Sequence, residues 1–242
     1  MTPSRAAHRL HRRTFPVMGT MVSISSADQR IDDMTQVASE ILGQADTIFS
    51  TYRSDSELSR LRRRDPTILM GPEMREVLTD CRALHLRTEG AFRPMDDAGR
   101  IDPTGYVKGW AMARVEQALR SAGCTDWLLI VGGDVVAAGR RADRPWGVAV
   151  RHPTAPGAVA EVLPVSDGAV ATSGDYERGG HVWGRHRGPR AGSVTVTGPR
   201  IEVADALATA LWSCDERSPQ WWAHFPGYHA LWLDGLGHPY AA

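Results

Sequence analysis

Trp127-Leu-Leu-Ile-Val131, Trp146-Gly-Val-Ala-Val150, Glu161-Val-Leu-Pro-Val165, Gly168-Ala-Val-Ala171, Ser193-Val-Thr-Val-Thr197 and Ala230-Leu-Trp-Leu233 decide the fold class. Each run is short, strand-like and bounded by Gly, Pro or Asp, which predicts β-strands. The texture upstream is different. Ile31, Met34, Ala38, Ile41, Leu42, Ala45, Ile48 and Phe49 follow the helical period and predict a long first helix ending near residues 50–53. Asp55-Ser-Glu-Leu58 begins a short second helix. Pro72 sits where a first helical turn accepts it, and Val77, Leu78, Cys81, Leu84 and His85 give a third, closed by Gly90. A fourth runs from about Lys108 to Ser121 and is stopped by Gly123. The expectation is an α+β fold of mixed, mainly antiparallel sheets with flanking helices. No internal repeat or low-complexity linker divides it, so one unit with two lobes around a cleft is expected.

Within the apolar run Val203-Ala-Asp-Ala-Leu-Ala-Thr-Ala-Leu-Trp212, Asp205 and Thr209 stand four residues apart. That spacing puts a carboxylate and a hydroxyl on one face of a helix, half of a hard-cation site. The alternative is a solvated helix N-terminus, where Asp is favoured and Thr bonds back to a carbonyl. A second cluster, Ile101-Asp-Pro-Thr-Gly-Tyr-Val-Lys-Gly-Trp-Ala111, gathers an acid, a flexible turn and a base just before a helix. Together they point to phosphoryl chemistry with Mg²⁺.

Bulk properties exclude several classes. With 242 residues, 42% of them hydrophobic, the chain can bury a core. Lys plus Arg and Asp plus Glu balance at 28 each, so no overall field favours nucleic acid, and no nucleic-acid partner is expected. Cys81, Cys124 and Cys214 form no CxxC pair, which argues against a disulfide framework and for a reducing compartment. Residues 1–13 read as a loose basic tail carrying Arg5, Arg9, Arg12 and Arg13, without the apolar core of a signal peptide. No run approaches the roughly 20 apolar residues needed to span a bilayer. A cytoplasmic location without membrane insertion is expected.

Val17-Met-Gly-Thr20, Ser50-Thr-Tyr-Arg-Ser-Asp-Ser-Glu-Leu58, Gly90-Ala-Phe92, Asp102-Pro-Thr-Gly-Tyr-Val-Lys-Gly109, Val131-Gly-Gly-Asp134, Ala169-Val-Ala-Thr-Ser-Gly-Asp-Tyr-Glu-Arg178 and Ala204-Asp-Ala-Leu-Ala-Thr209 follow one another in this order. The series resembles the ordered motif set of the ApbE family, the FAD:protein FMN transferases. The resemblance runs from about residue 14 to 233, so residues 14–242 are expected to form a single ApbE-like flavin transferase domain. It implies a Mg²⁺-dependent enzyme that takes FAD as substrate, joins its FMN half to a Thr or Ser hydroxyl of an acceptor flavoprotein, and releases AMP.

Carried over position by position, the resemblance implies a metal held by Asp205, Thr209 and the carbonyl of Gly105, with the pyrophosphate completing an oxygen shell. Lys108 would supply compensating charge. Met18, Tyr52, Ala91, Phe92 and Asp102 correspond to flavin-contacting positions, the apolar ones as a wall for the ring and the polar ones toward ribityl, adenine or ribose hydroxyls. Their alternative is ordinary core. Gly132-Gly133-Asp134 reads equally as a nucleotide cradle and as a tight hairpin turn. Thr172-Ser173-Gly174 reads as nucleotide-facing or as a plain strand end.

The chain departs from the family twice. Where the family usually has His-x-x-Asp-Pro-x-Thr-Gly, this sequence reads His181-Val-Trp-Gly-Arg-His-Arg-Gly188, with Gly184, Arg185 and Arg187 in place of the Asp, Pro and Thr. His181 is the candidate base toward the acceptor hydroxyl, with Asp205 as its competitor, and Trp183 is a candidate cofactor contact. Arg93-Pro94 replaces the common Asp-Pro after Gly-Ala-Phe. Two alternatives stay open. In one, a Mg²⁺-dependent FAD pyrophosphatase gives FMN and AMP; in the other, the chain is a non-catalytic FAD-binding protein.

Overall fold

Alternation along β3 (Trp127–Val131) builds two cores. Trp127, Leu129 and Val131 point into the main core, whereas Leu128 and Ile130 pack on the opposite face. Its neighbours repeat the pattern. In β4 (Asp134–Ala138) and β7 (Gly168–Gly174), Val136, Ala138, Ala169 and Ala171 join the main core, and Val135 and Val170 the smaller one. A period of two on a sheet covered on both faces produces this division. The computed structural model describes residues 9–174, 192–214 and 218–240.

The large sheet has eight antiparallel strands in the order β1-β2-β3-β4-β7-β8-β9-β10. Its remaining members are β1 (His11–Val17), β2 (Thr20–Ser26), β8 (Gly192–Gly198), β9 (His229–Asp234) and β10 (Pro239–Tyr240). A separate hairpin of β5 (Trp146–Arg151) and β6 (Val159–Val165) covers the smaller core through Val148, Leu163 and Val165. Among the described residues, α1 (Ile31–Phe49), α4 (Thr104–Ser121) and α5 (Ile201–Ser213) pack on the other face, with α2 (Glu57–Arg62) against α1 and α3 (Pro72–Arg87) against α4. α5 is buried nearly all round between α4 and strands β7 and β8, as expected of a helix with apolar residues on every side.

The α+β expectation and its mainly antiparallel sheets hold. Three details are corrected. α4 starts at Thr104, four residues before the expected start, because Asp102-Pro103 opens the helix: Asp102 Oδ1 accepts from Thr104 N at 3.2 Å and from its Oγ1 at 2.7 Å. Strands β1 and β2 have no counterpart in the sequence reading; among the described residues the polar, Arg-bearing β1 is an edge strand laddered to β2. Residues 11–13 therefore belong to β1, where Arg13 pairs with Asp32 at 2.6 Å, and are not part of a loose tail.

Candidate functional site

Two glycines one helical turn apart let α4 and α5 touch. A Cβ on Gly109 would fall 2.6 Å from Glu202 Cα, and one on Gly105 would fall 3.2 Å from Thr209 Cγ2. Residue numbers rise along α4 as they fall along α5, so the helices run antiparallel at the contact. Glycine is required at Gly109 because a side chain would collide with backbone. This close approach carries the amide of Gly109 to Asp205, whose Oδ2 accepts its hydrogen bond at 3.0 Å.

Asp205 is 4% exposed. The solvated N-terminus alternative is thereby excluded: the residue is the fifth of α5 and faces another helix. Thr209 is half-buried one turn further on, with Oγ1 3.5 Å from the position a Gly105 Cβ would take. The structure thus places Asp205 and Thr209 against the Gly105–Gly109 turn of α4. The set offers a carboxylate, a hydroxyl and a backbone carbonyl, all oxygen, which fits a hard cation such as Mg²⁺. Among the described residues no group of three or more His, Cys, Asp or Glu side chains gathers for a metal.

Lys108 lies between two carboxylates. Its Nζ is 2.7 Å from Asp134 Oδ2 and 3.8 Å from Asp205 Oδ1. The closer partner was not legible as such. Gly132 and Gly133 both have positive φ and form the two-residue turn joining β3 to β4, with Val131 paired to Asp134. The hairpin reading of Gly132-Gly133-Asp134 therefore holds, and its Asp is fully buried beside Lys108. Asp134 Oδ1 also accepts from Thr172 N at 3.1 Å, and Thr172 Oγ1 shares a 2.9 Å hydrogen bond with Thr195 Oγ1.

The same end of the sheet carries the turn between β1 and β2. Met18 and Gly19 both have positive φ there, and Gly132 N donates to Met21 O, which sets the two turns side by side. Met18 is half-buried against the main core. Ala91 and Phe92 approach from the helical side. Ala91 O accepts from Ser213 Oγ at 2.9 Å, Phe92 O pairs with His85 Nδ1 at 2.8 Å, and the Phe92 ring lies 3.5 Å from the Gly105 Cβ position. Phe92 is 1% exposed and backs Gly105 from within the core. Tyr52 stands apart, 88% exposed after α1, so it is not ordinary core. His181, Trp183 and the altered residues Gly184, Arg185 and Arg187 lie outside the described residues.

The start of α4 is fastened on both sides. Tyr106 donates its hydroxyl to Asp80 Oδ2 on α3 at 2.8 Å, and burial, followed by the bond to Asp80, pushes its hydroxyl well above the ordinary tyrosine range. On the other side, Arg62 reaches Asp96 Oδ2 at 2.7 Å and Asp102 Oδ2 at 3.9 Å. Asp96 is itself buried, and its carboxyl is held below the usual range first by the Arg100 amide, then by the Arg100 and Arg62 guanidinium groups. Sequence reading missed Arg62 and Asp96, because a long-range ion pair leaves no local period.

The model of the ApbE family matches residues 18–97 and 95–232. A FAD:protein FMN transferase of Vibrio cholerae serotype O1 is 29% identical, over 81% of this chain and 79% of that protein. A FAD:protein FMN transferase of Rhodobacter capsulatus is 32% identical over 69% of this chain, which spans 31% of that longer relative. Among solved structures, the ApbE protein of Thermotoga maritima superposes with a TM-score of 0.79 at 24% identity over 97% of both chains. The flavin transferase ApbE of Vibrio cholerae gives 0.76 at 22% identity, over 93% of this chain and 94% of that one. The ordered motifs and the family model agree over most of the sequence, and the chain belongs to the ApbE family.

Proposed function

We propose that this protein is a FAD:protein FMN transferase that uses Mg²⁺ to move FMN from FAD onto a Thr or Ser hydroxyl of an acceptor flavoprotein. In that reaction the acceptor oxygen forms a bond to the phosphorus of the FMN half. The bond from that phosphorus to the AMP oxygen breaks, and the hydroxyl proton passes to a base. The observation that carries the reading is the meeting of Asp205 and Thr209 with the Gly105–Gly109 turn of α4.

Asp205, Thr209 and the Gly105 carbonyl would hold the cation. Mg²⁺ bound there supplies Lewis-acid polarisation of the attacked phosphorus and charge compensation for departing AMP. Lys108 adds a positive charge at the same place, steadied by Asp134. Asp205 suits holding better than proton transfer, since one oxygen accepts the Gly109 amide and the other faces Lys108. His181 is then the preferred base. Met18, Ala91 and Asp102 would border the flavin nucleotide, with Phe92 behind them, and Tyr52 and Trp183 would be further contacts. A flavin cleft between two lobes belongs to this reading, supported by the convergence of the Met18, Ala91 and Gly132 turns on the α4–α5 contact.

Cys81 and Cys124, buried thiols outside any disulfide, support a cytoplasmic location. No helix among the described residues is long and apolar enough to cross a membrane. Incubation with FAD and Mg²⁺, with and without an acceptor flavoprotein, tests the reading. Covalent flavin on the acceptor supports transfer. Free FMN and AMP alone would identify a pyrophosphatase, and no turnover with retained FAD would identify a binding protein.

A further inference from the structure

We propose that Asp134 is a positioning residue for the cation site: it holds the Lys108 ammonium away from Asp205 and so keeps that carboxylate available to a divalent ion. The inference rests on the metal reading above. Asp134 is well placed for the task because its own position is fixed by backbone. It begins β4 directly after the Gly132-Gly133 turn, and its Oδ1 accepts the Thr172 amide of β7 at 3.1 Å. Its Oδ2 accepts no aligned hydrogen bond, yet lies 2.7 Å from Lys108 Nζ. The ion pair is therefore what compensates this fully buried charge.

Lys108 is also largely enclosed, its side chain 12% exposed, and carries its charge on a flexible stem. Its distance of 3.8 Å from Asp205 Oδ1 is longer than a hydrogen bond and short enough for strong attraction. Removing the Asp134 charge would weaken the pull that keeps the ammonium from Asp205. Lysine and cation would then compete for one oxygen. Asp134 thus acts on the cation through Lys108, and that dependence separates positioning from a simple loss of negative charge nearby, which would act whether or not the lysine is present.

A double-mutant cycle reads the difference without turnover. Mn²⁺ is titrated into the full-length protein and the free ion followed by electron paramagnetic resonance, for wild type, Asp134→Asn, Lys108→Met and the double variant. Asp134→Asn is expected to weaken Mn²⁺ binding about tenfold or more, the measure of roughly 1.4 kcal/mol. In the Lys108→Met background the same change is expected to alter binding less than about threefold, since coupling is lost with the partner. An equal loss in both backgrounds, or no loss in either, overturns the positioning role. Absence of Mn²⁺ binding by the wild type overturns the metal reading and this inference together. Thermal melts check that each variant is folded, and Lys108→Gln with Asp134→Asn provides a second neutral pair should the methionine variant not fold.

Discussion

The amide of Gly109 donates to Asp205 Oδ2 across the α4–α5 contact at 3.0 Å, at a point where no larger residue than glycine fits. One backbone group thus joins helix packing to the orientation of the carboxylate proposed to hold the metal. Stability and function should respond together at this point and separately one turn away.

Gly109→Ala places a methyl 2.6 Å from Glu202 Cα, so the helices must separate. Overpacking against backbone is expected to cost about 1–3 kcal/mol, read as a lower urea midpoint at unchanged slope. Gly105→Ala meets the Thr209 methyl at 3.2 Å and should cost less stability while displacing the Thr209 hydroxyl. Its main effect is expected on Mg²⁺-dependent turnover.

Asp205→Ala should abolish Mg²⁺-dependent turnover, because it removes the carboxylate of a set otherwise made of neutral oxygens. Thr209→Val should reduce turnover less and raise the Mg²⁺ concentration needed for half-maximal rate. Wild-type rates in Asp205→Ala at limiting Mg²⁺ would refute the assignment.

Tyr106→Phe removes a hydroxyl that donates to Asp80 and is expected to cost about 1–3 kcal/mol at neutral pH. The folded hydroxyl titrates above its unfolded value, so its contribution is complete below the unfolded value of about 10 and is lost as pH rises through the folded one. Wild type should therefore lose stability faster than Tyr106→Phe above about pH 10, and parallel alkaline melts of the two would contradict this.

FAD should bind more tightly than FMN, by about tenfold or more, since only FAD brings the pyrophosphate and adenylate toward Lys108 and Asp102. Fluorescence titration of both flavins measures the gap. Equal affinities would point to a module that reads the flavin ring alone.

Much of this architecture was legible locally. The period of α1, Pro72 at the start of α3 and the apolar runs of β3, β5, β7, β8 and β9 each carry their own signal, and Asp205 with Thr209 is visible as an i, i+4 pair. What escaped reading depends on distant partners. β1 is defined by pairing with β2, the first turn of α4 is hidden behind a Pro-Thr-Gly sequence that resembles a loop, and the Lys108–Asp134 and Arg62–Asp96 pairs join segments 26 and 34 residues apart. Gly109 closes the Asp102–Gly109 motif without any sign in the sequence of its steric role against α5. The segment bearing His181 and Trp183 lies outside the described residues, so the proposed base rests on the family resemblance.

In the proposed reaction one FMN leaves FAD for a protein hydroxyl each time one AMP is released. This is tested most directly by measuring AMP by chromatography and covalent flavin on an acceptor flavoprotein by intact mass spectrometry in the same Mg²⁺-containing reaction. Equimolar AMP and protein-bound FMN are expected, both absent when Asp205 is replaced by Ala or Mg²⁺ is chelated. AMP formed with an equal amount of free FMN, at a rate indifferent to the acceptor, would contradict it.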